Sequence, residues 1–305
     1  MESTIIMLLT EDKLAQWVNS KNGLLITRSK LNMNEYDFRN ISSPKYVCLT
    51  GYKEVIDLFF HKCIHYFHKG VILIIIESDV IPIQKSQLEH KNILHCFTWN
   101  KPFHHKKMTA IPIGLNYNRQ YIVLDNWLKN NRNQQFPQKM LCFNCSLNTD
   151  ASRQLLLNHA KQNWYNFCTL LDYIPSLKTY VIPSFIEGKL QIHVTNSECY
   201  NQWNDFKFVL SPRGAGIDCH RTWEVLATGR IPIVLSSEID ELYEDLPVVV
   251  VKSWDQINEQ FLQEQYDIYL KKINDNVYNM DKIKLFYWTN SIYEKMESFE
   301  KTSMK

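Results

Sequence analysis

Six aliphatic residues in succession, Val71 to Ile76, leave no polar position for a solvent-facing side. The same lack of alternation marks PIVL before Ser236 and PVVVV from Pro247 to Val251. Strands of this kind are covered on both faces, as in parallel sheets flanked by helices. Short apolar runs alternating with amphipathic stretches therefore predict stacked βα units in an α/β fold. Further strands are predicted at Tyr46 to Thr50, Ile93 to Thr98, Thr109 to Gly114, Met140 to Cys145 and Phe206 to Leu210. Helices are predicted over 55–66, with Val55, Leu58, Phe59, Cys63 and Tyr66 on one face, and at Asp150 to Asn163, Asp218 to Thr228, Trp254 to Lys271 and Asp281 to Glu300.

A chain of 305 residues exceeds what one hydrophobic core usually holds, which predicts two domains. The polar stretch NNRNQQFP, Asn130 to Pro137, has no apolar period and ends in proline, so it is the expected linker between 1–136 and 137–305. Two α/β sheets would then leave a cleft, with ligands beyond the carboxyl ends of the strands.

Thirty-four basic residues against 32 acidic ones give a net charge of +2, too small for a dedicated nucleic-acid or membrane-surface protein. Any bound anion must be held locally. No apolar run approaches the roughly 20 residues that cross a bilayer, and Ile5 to Leu9 lacks the basic flank and cleavage site of a signal peptide. Eight scattered cysteines suit a reducing compartment. These features together predict a cytoplasmic protein.

The segment Phe206 to Trp254 is the richest in chemistry. After an apolar strand come Ser211, Pro212, Arg213, Gly214, Ala215 and Gly216, then a helix for which Asp218 is the expected N-cap. The small residues let backbone approach a ligand, and the N–H groups and dipole of a helix start favour an anion such as phosphate. Arg213 and Arg221 could bind a diphosphate, and Glu224, on the same helical side as Arg221, could accept ribose hydroxyls. The blander alternative is a tight glycine turn, an Arg221–Glu224 pair on a solvated face and Trp223 in the core. Cys219 stands where G-x-G-x-x-G requires its third glycine, and no P-loop motif occurs.

SPRGAGIDCHRTWEVLATGRIPIV followed by SSEIDELYEDLPVVVVKSW resembles the donor-binding region of exostosin-type (GT47-like) glycosyltransferases. HKKMTAIPIGLNYN, His105 to Asn118, with Asn100 ahead of it, is similar to a shorter patch of the same group. The resemblance implies a GT-B-like fold, two Rossmann-like domains facing across a cleft, and an inverting transferase that needs neither metal nor cofactor. It would use a nucleotide sugar as donor and a glycan or glycoconjugate hydroxyl as acceptor. The acceptor would lie on the N-terminal domain and the nucleotide on the C-terminal one, whose last helix could pack back on the first. On matching positions Arg221 would contact the diphosphate, Glu224 the ribose, and Ser211, Arg213, Gly214, Ala215 and Gly216 the phosphate loop. The membrane anchor of animal exostosins has no counterpart here, so compartment and substrate do not carry over.

Inverting transfer needs a base, and Asp79, which with Glu77 follows the aliphatic strand, is the expected one. Two rival readings stay open: a metal-dependent transferase using Glu77 and Asp79, and a non-catalytic nucleotide or glycan binder. Arg153 lies near a helix start, where a cation without a ligand is unfavourable, and is added to the donor set. His61, His65 and His68 share a helical face and read as exposed. Cys142 and Cys145 read as buried thiols, and His104 to Lys107 as a solvated basic loop.

Overall fold

In the computed structural model, residues 11–28, 45–115, 122–131, 137–171, 182–186, 189–193 and 198–303 are described. The first part runs α1 (Glu11–Ser20), β1 (Leu24–Ile26), β2 (Tyr46–Thr50), α2 (Lys53–Leu58), β3 (Val71–Ile76), α3 (Lys85–Leu88), β4 (Ile93–Thr98), β5 (Met108–Ala110) and α4 (Ile122–Asn130). The second runs β6 (Lys139–Phe143), α5 (Ser152–Asn163), β7 (Cys168–Leu170), β8 (Ile182–Ile186), β9 (Lys189–His193), α6 (Glu198–Asn204), β10 (Phe206–Leu210), α7 (His220–Ala227), β11 (Ile231–Leu235), β12 (Val249–Val251), α8 (Glu259–Asn274) and α9 (Leu285–Ser303).

Among the described residues these strands form two five-stranded parallel sheets, ordered β1-β2-β3-β4-β5 and β12-β11-β10-β6-β7, and an antiparallel β8-β9 ribbon. The protein is therefore a mixed α/β structure. Every residue of β2 and β3 is buried, as their uninterrupted apolar runs demand. In the N-terminal sheet Val47, Leu49, Leu73 and Ile75 face α2 and Leu88 of α3, while Cys48, Ile72, Ile74 and Phe97 face α1 and α9. In the C-terminal sheet Leu141, Phe143, Phe208 and Ile233 pack under α5 and α8, while Cys142, Val209 and Val234 face α6 and α7.

One apolar cluster joins the two sheets, running from Tyr46 and Ile74 through Ile113, Trp127 and Trp203 to Trp223 and Val234. Polar ties reinforce it. Lys101, only 1% exposed, donates to Glu241 Oε2 at 2.6 Å, and the other Glu241 oxygen accepts the Ala110 N–H at 2.7 Å.

Several expected elements are corrected. The helix over 55–66 is α only to Leu58, then takes a π turn at Phe59–Cys63 and a 3-10 turn at Ile64–Tyr66. The π turn adds a residue to the cycle, so Ile64 and Phe67 turn inward and Tyr66 is exposed. The strand expected at Thr109 to Gly114 is shorter and ends at Ala110. Trp254–Gln256 is a separate 3-10 turn, and α8 starts after Asn258, whose side chain accepts the Phe261 N–H at 2.9 Å. A 3-10 turn, Met280–Ile283, likewise precedes α9. Within the proposed linker, 132–136 lie outside the described residues, as do Ile5 to Leu9 and Asn116 to Asn118. No helix among the described residues is long and apolar enough to cross a membrane.

Candidate functional site

The strand order reverses direction at β6, which has β7 on one side and β10 on the other. In open parallel sheets the loops leaving such neighbours diverge to opposite faces and leave a crevice at their carboxyl ends. A cavity of about 350 Å³ opens there, within the 300 to 1,000 Å³ usual for ligand sites. The β6 loop contributes Asn144, Ser146 and Thr149, the β10 loop Gly214, Ala215 and Gly216, and the start of α7 His220, Arg221 and Glu224. The N-terminal sheet supplies Asp79, after β3, and Ile113, after β5.

The glycine loop is held from both sides. Arg153, buried, donates from Nε to the Arg213 carbonyl at 2.8 Å, from Nη2 to Pro212 at 2.9 Å and from Nη1 to Ser146 at 2.8 Å. On the other side stands Asn100, whose φ of 42° places it in the left-handed region that asparagine tolerates. Its amide donates to the Ser78 carbonyl at 3.0 Å and its Oδ1 accepts the Asp218 N–H at 2.7 Å. A Cβ on Gly216 would lie 2.7 Å from Asn100 Nδ2, so only glycine permits this approach. Glu77, exposed, also has a left-handed backbone, φ 60°, at the turn into Ser78 and Asp79.

Arg221 is positioned by Asn144, donating from Nη1 to Oδ1 at 2.7 Å and from Nη2 to the carbonyl at 3.2 Å, with its guanidinium 5.4 Å from the Trp203 ring. Glu224, one turn further along α7, is 4% exposed, and its Oε1 is buried without a hydrogen-bond partner. Burial pushes its carboxyl up to about 7, against the opposing pull of Arg221. A buried acceptor left open in a cavity wall marks a place where a ligand donor fits.

Seven of the expected site residues line this cavity: Asp79, Arg153, Gly214, Ala215, Gly216, Arg221 and Glu224. Ser211 and Arg213 belong elsewhere. Ser211 is buried beneath α7, its hydroxyl 2.8 Å from that of Thr222, and Arg213 is half exposed, 3.8 Å from Asp150. Arg153 lines the wall, but its three bonds are to loop carbonyls. Asp218 is not the cap of α7: Cys219 occupies the N-cap position without a side-chain cap bond. The Asp218 carboxylate instead accepts from Ile113, Cys219 and Trp223, and burial pushes it up to about 7 while those bonds pull it down.

Sequence reasoning passed over Asn144, Trp203, Cys199 and His220. Asn144 was open to detection as the first polar residue after the β6 run; the others carry no local pattern. The weaker constellations have structural places. Cys142 and Cys145 are buried thiols, raised by desolvation. His61, His65 and His68 are exposed. In the basic loop, Lys107 Nζ donates to the carbonyls of Leu88 and Ile93, while His104 and His105 pair with Glu238 and Glu89. Among the described residues no group of three or more His, Cys, Asp or Glu side chains is placed to share a metal ion. Compared with known proteins, the chain matches no family and no curated sequence.

Proposed function

We propose that this protein is a glycosyltransferase of GT-B-like arrangement, moving a sugar from a nucleotide-sugar donor to a hydroxyl of a glycan or glycoconjugate with inversion. The observation that carries the reading is the unpaired Oε1 of Glu224, buried in the cavity one helical turn from Arg221 and close to the glycine loop. An anion-favouring loop and helix start beside a buried acceptor is the pairing that a diphosphate joined to a ribose diol requires. The nucleotide would lie along Gly214 to Gly216 and α7, with Arg221 on the diphosphate and Glu224 on the ribose. The acceptor would enter from the N-terminal sheet, where Asp79 supplies a carboxylate. All eight cysteines are free thiols, which supports placing this activity in a reducing compartment such as the cytoplasm.

The test is calorimetry with UDP, GDP and CMP, followed by a panel of nucleotide sugars assayed for release of the nucleotide, with and without EDTA. We expect a diphosphate to bind, one donor class to turn over, and EDTA to leave the rate unchanged. Binding without turnover would favour a non-catalytic binder. Loss with EDTA that Mn²⁺ restores would favour Glu77 and Asp79 as metal ligands.

A further inference from the structure

We propose that His220, at the first residue of α7, takes the proton of the acceptor hydroxyl, and that Asp79 acts through it rather than as the base itself. The inference rests on the transferase reading and adds to it a catalytic residue with no sequence motif. His220 Nδ1 lies 2.7 Å from the carbonyl oxygen of Gly114. A carbonyl can only accept, so Nδ1 carries the hydrogen and Nε2 of the neutral ring is left with the lone pair. Gly114 has a φ of 64°, a backbone conformation natural to glycine, and it follows β5 on the acceptor side. His220 and Asp79 line the same cavity as the glycine loop, so the ring stands between the facing sheets where acceptor and donor must meet.

The electrostatics suit the task. Burial lowers the affinity of the ring for a proton, keeping it neutral and able to accept, while the Gly114 bond and the negative charge of Asp79 oppose that shift. Asp79 acts on the ring from the loop after β3; Asp218, Arg221 and Glu224 share the cavity from its own segment. In the reaction the acceptor O–H proton passes to Nε2 as the acceptor oxygen bonds to the anomeric carbon. The bond from that carbon to the diphosphate oxygen breaks, and its electron pair leaves with the nucleoside diphosphate. Asp79 stabilises the imidazolium, which afterwards returns its proton to water.

The experiment compares wild type, His220→Gln and Asp79→Asn, using UDP and GDP as binding probes and the panel of UDP- and GDP-sugars for turnover, with water or an oligosaccharide as acceptor. Glutamine can still donate to Gly114, and thermal melts establish that the variant is folded; His220→Asn serves if it is not. His220→Gln should bind the nucleoside diphosphate within about threefold of wild type, lose about 10² to 10⁴ in kcat, and lose the acid limb of its kcat profile at saturating donor, where the pH-dependent affinity set by Glu224 no longer enters. Asp79→Asn should keep that limb but move it to lower pH, because removing the negative charge lowers the pKa of the ring, with a smaller loss of kcat. An acid limb retained in His220→Gln and abolished in Asp79→Asn would overturn the proposal and make Asp79 the base. A wild-type rate in His220→Gln would overturn it outright. Failure of the transferase reading looks different: wild type would bind no nucleoside diphosphate, and the proposal would fall with it.

Discussion

Asp218 Oδ2 accepts the backbone N–H of Ile113 at 2.8 Å, joining positions 105 residues apart and fastening the glycine loop of one sheet to the carboxyl edge of the other. Its Oδ1 accepts the Cys219 N–H at 2.9 Å, and the Trp223 indole lies 2.9 Å from both oxygens. With donors on both sides, Asp218→Asn must turn an NH₂ against an N–H. We expect a loss of about 1 to 3 kcal/mol of stability, the cost of an unsatisfied buried group. Urea unfolding of the variant measures it, and an unchanged midpoint would show that the tie contributes nothing.

Glu224 links stability and binding to pH. Its folded pKa, raised by burial from an ordinary 4.5 to about 7, means that the folded state holds its proton more tightly than the unfolded one. Its contribution to stability is therefore complete below about pH 4.5 and is lost as the pH rises through about 7. Glu224→Gln should flatten this part of the stability curve. Ribose hydroxyls donate to the ionised form, so nucleoside diphosphate affinity should climb over the same interval in wild type. A 2′,3′-dideoxy analogue should show neither the climb nor sensitivity to the substitution. Equal losses for both ligands would make Glu224 a structural carboxylate.

Arg221→Ala removes a guanidinium that Asn144 and Trp203 already hold in place, so little ordering cost offsets its contact with a diphosphate. A charge-assisted bond is worth about 1.5 to 3 kcal/mol, which corresponds to a tenfold or greater weakening in calorimetry. Retained affinity in a folded variant would remove Arg221 from the donor site.

Gly216→Ala places a methyl group 2.7 Å from Asn100 Nδ2 and 2.9 Å from its Oδ1. The Asn100 side chain must move and release either Ser78 or Asp218. A destabilisation of about 1 to 3 kcal/mol is expected, as for an overpacked site. Turnover should suffer beyond the loss in nucleotide affinity, because the Asp79 loop shifts with Ser78. Asn100→Gly, combined with it, should restore part of the stability by relieving the contact.

How far the sequence reveals this arrangement depends on where the deciding partner lies. β2, β3, β4 and β10 are legible to the residue because a run that is apolar but for one or two positions, such as His95 in β4 and Lys207 in β10, has one stable use. The start of α7 is not, since an aspartate before a helix looks like a cap and the competing donor, Ile113, belongs to another sheet. Ser211 and Arg213 adjoin the glycine loop in sequence, yet the backbone turns one beneath α7 and the other outward. A lone histidine such as His220 has no spacing to betray it; its significance comes from the Gly114 carbonyl and the Asp79 charge, both set by long-range packing. The π turn at Phe59–Cys63 is equally invisible, because it changes the phase of a helix without changing its composition.

The position of α9 bears on how the chain comes to fold. Trp288, Ile292 and Met296 of this helix share an apolar cluster with Leu14, Tyr46, Ile72 and Phe97 of the first part, and Glu300 pairs with Lys45 at 2.5 Å. Chains usually acquire structure from the amino end as they leave the ribosome. Here one face of the first sheet has only α1 over part of it until these late residues have been made. The first sheet is thus the earliest to be synthesised and among the last to be sealed, and a nascent chain interrupted before Leu285 would present a face covered by α1 alone, with the α9 side of Phe97 open, to whatever chaperone reached it first.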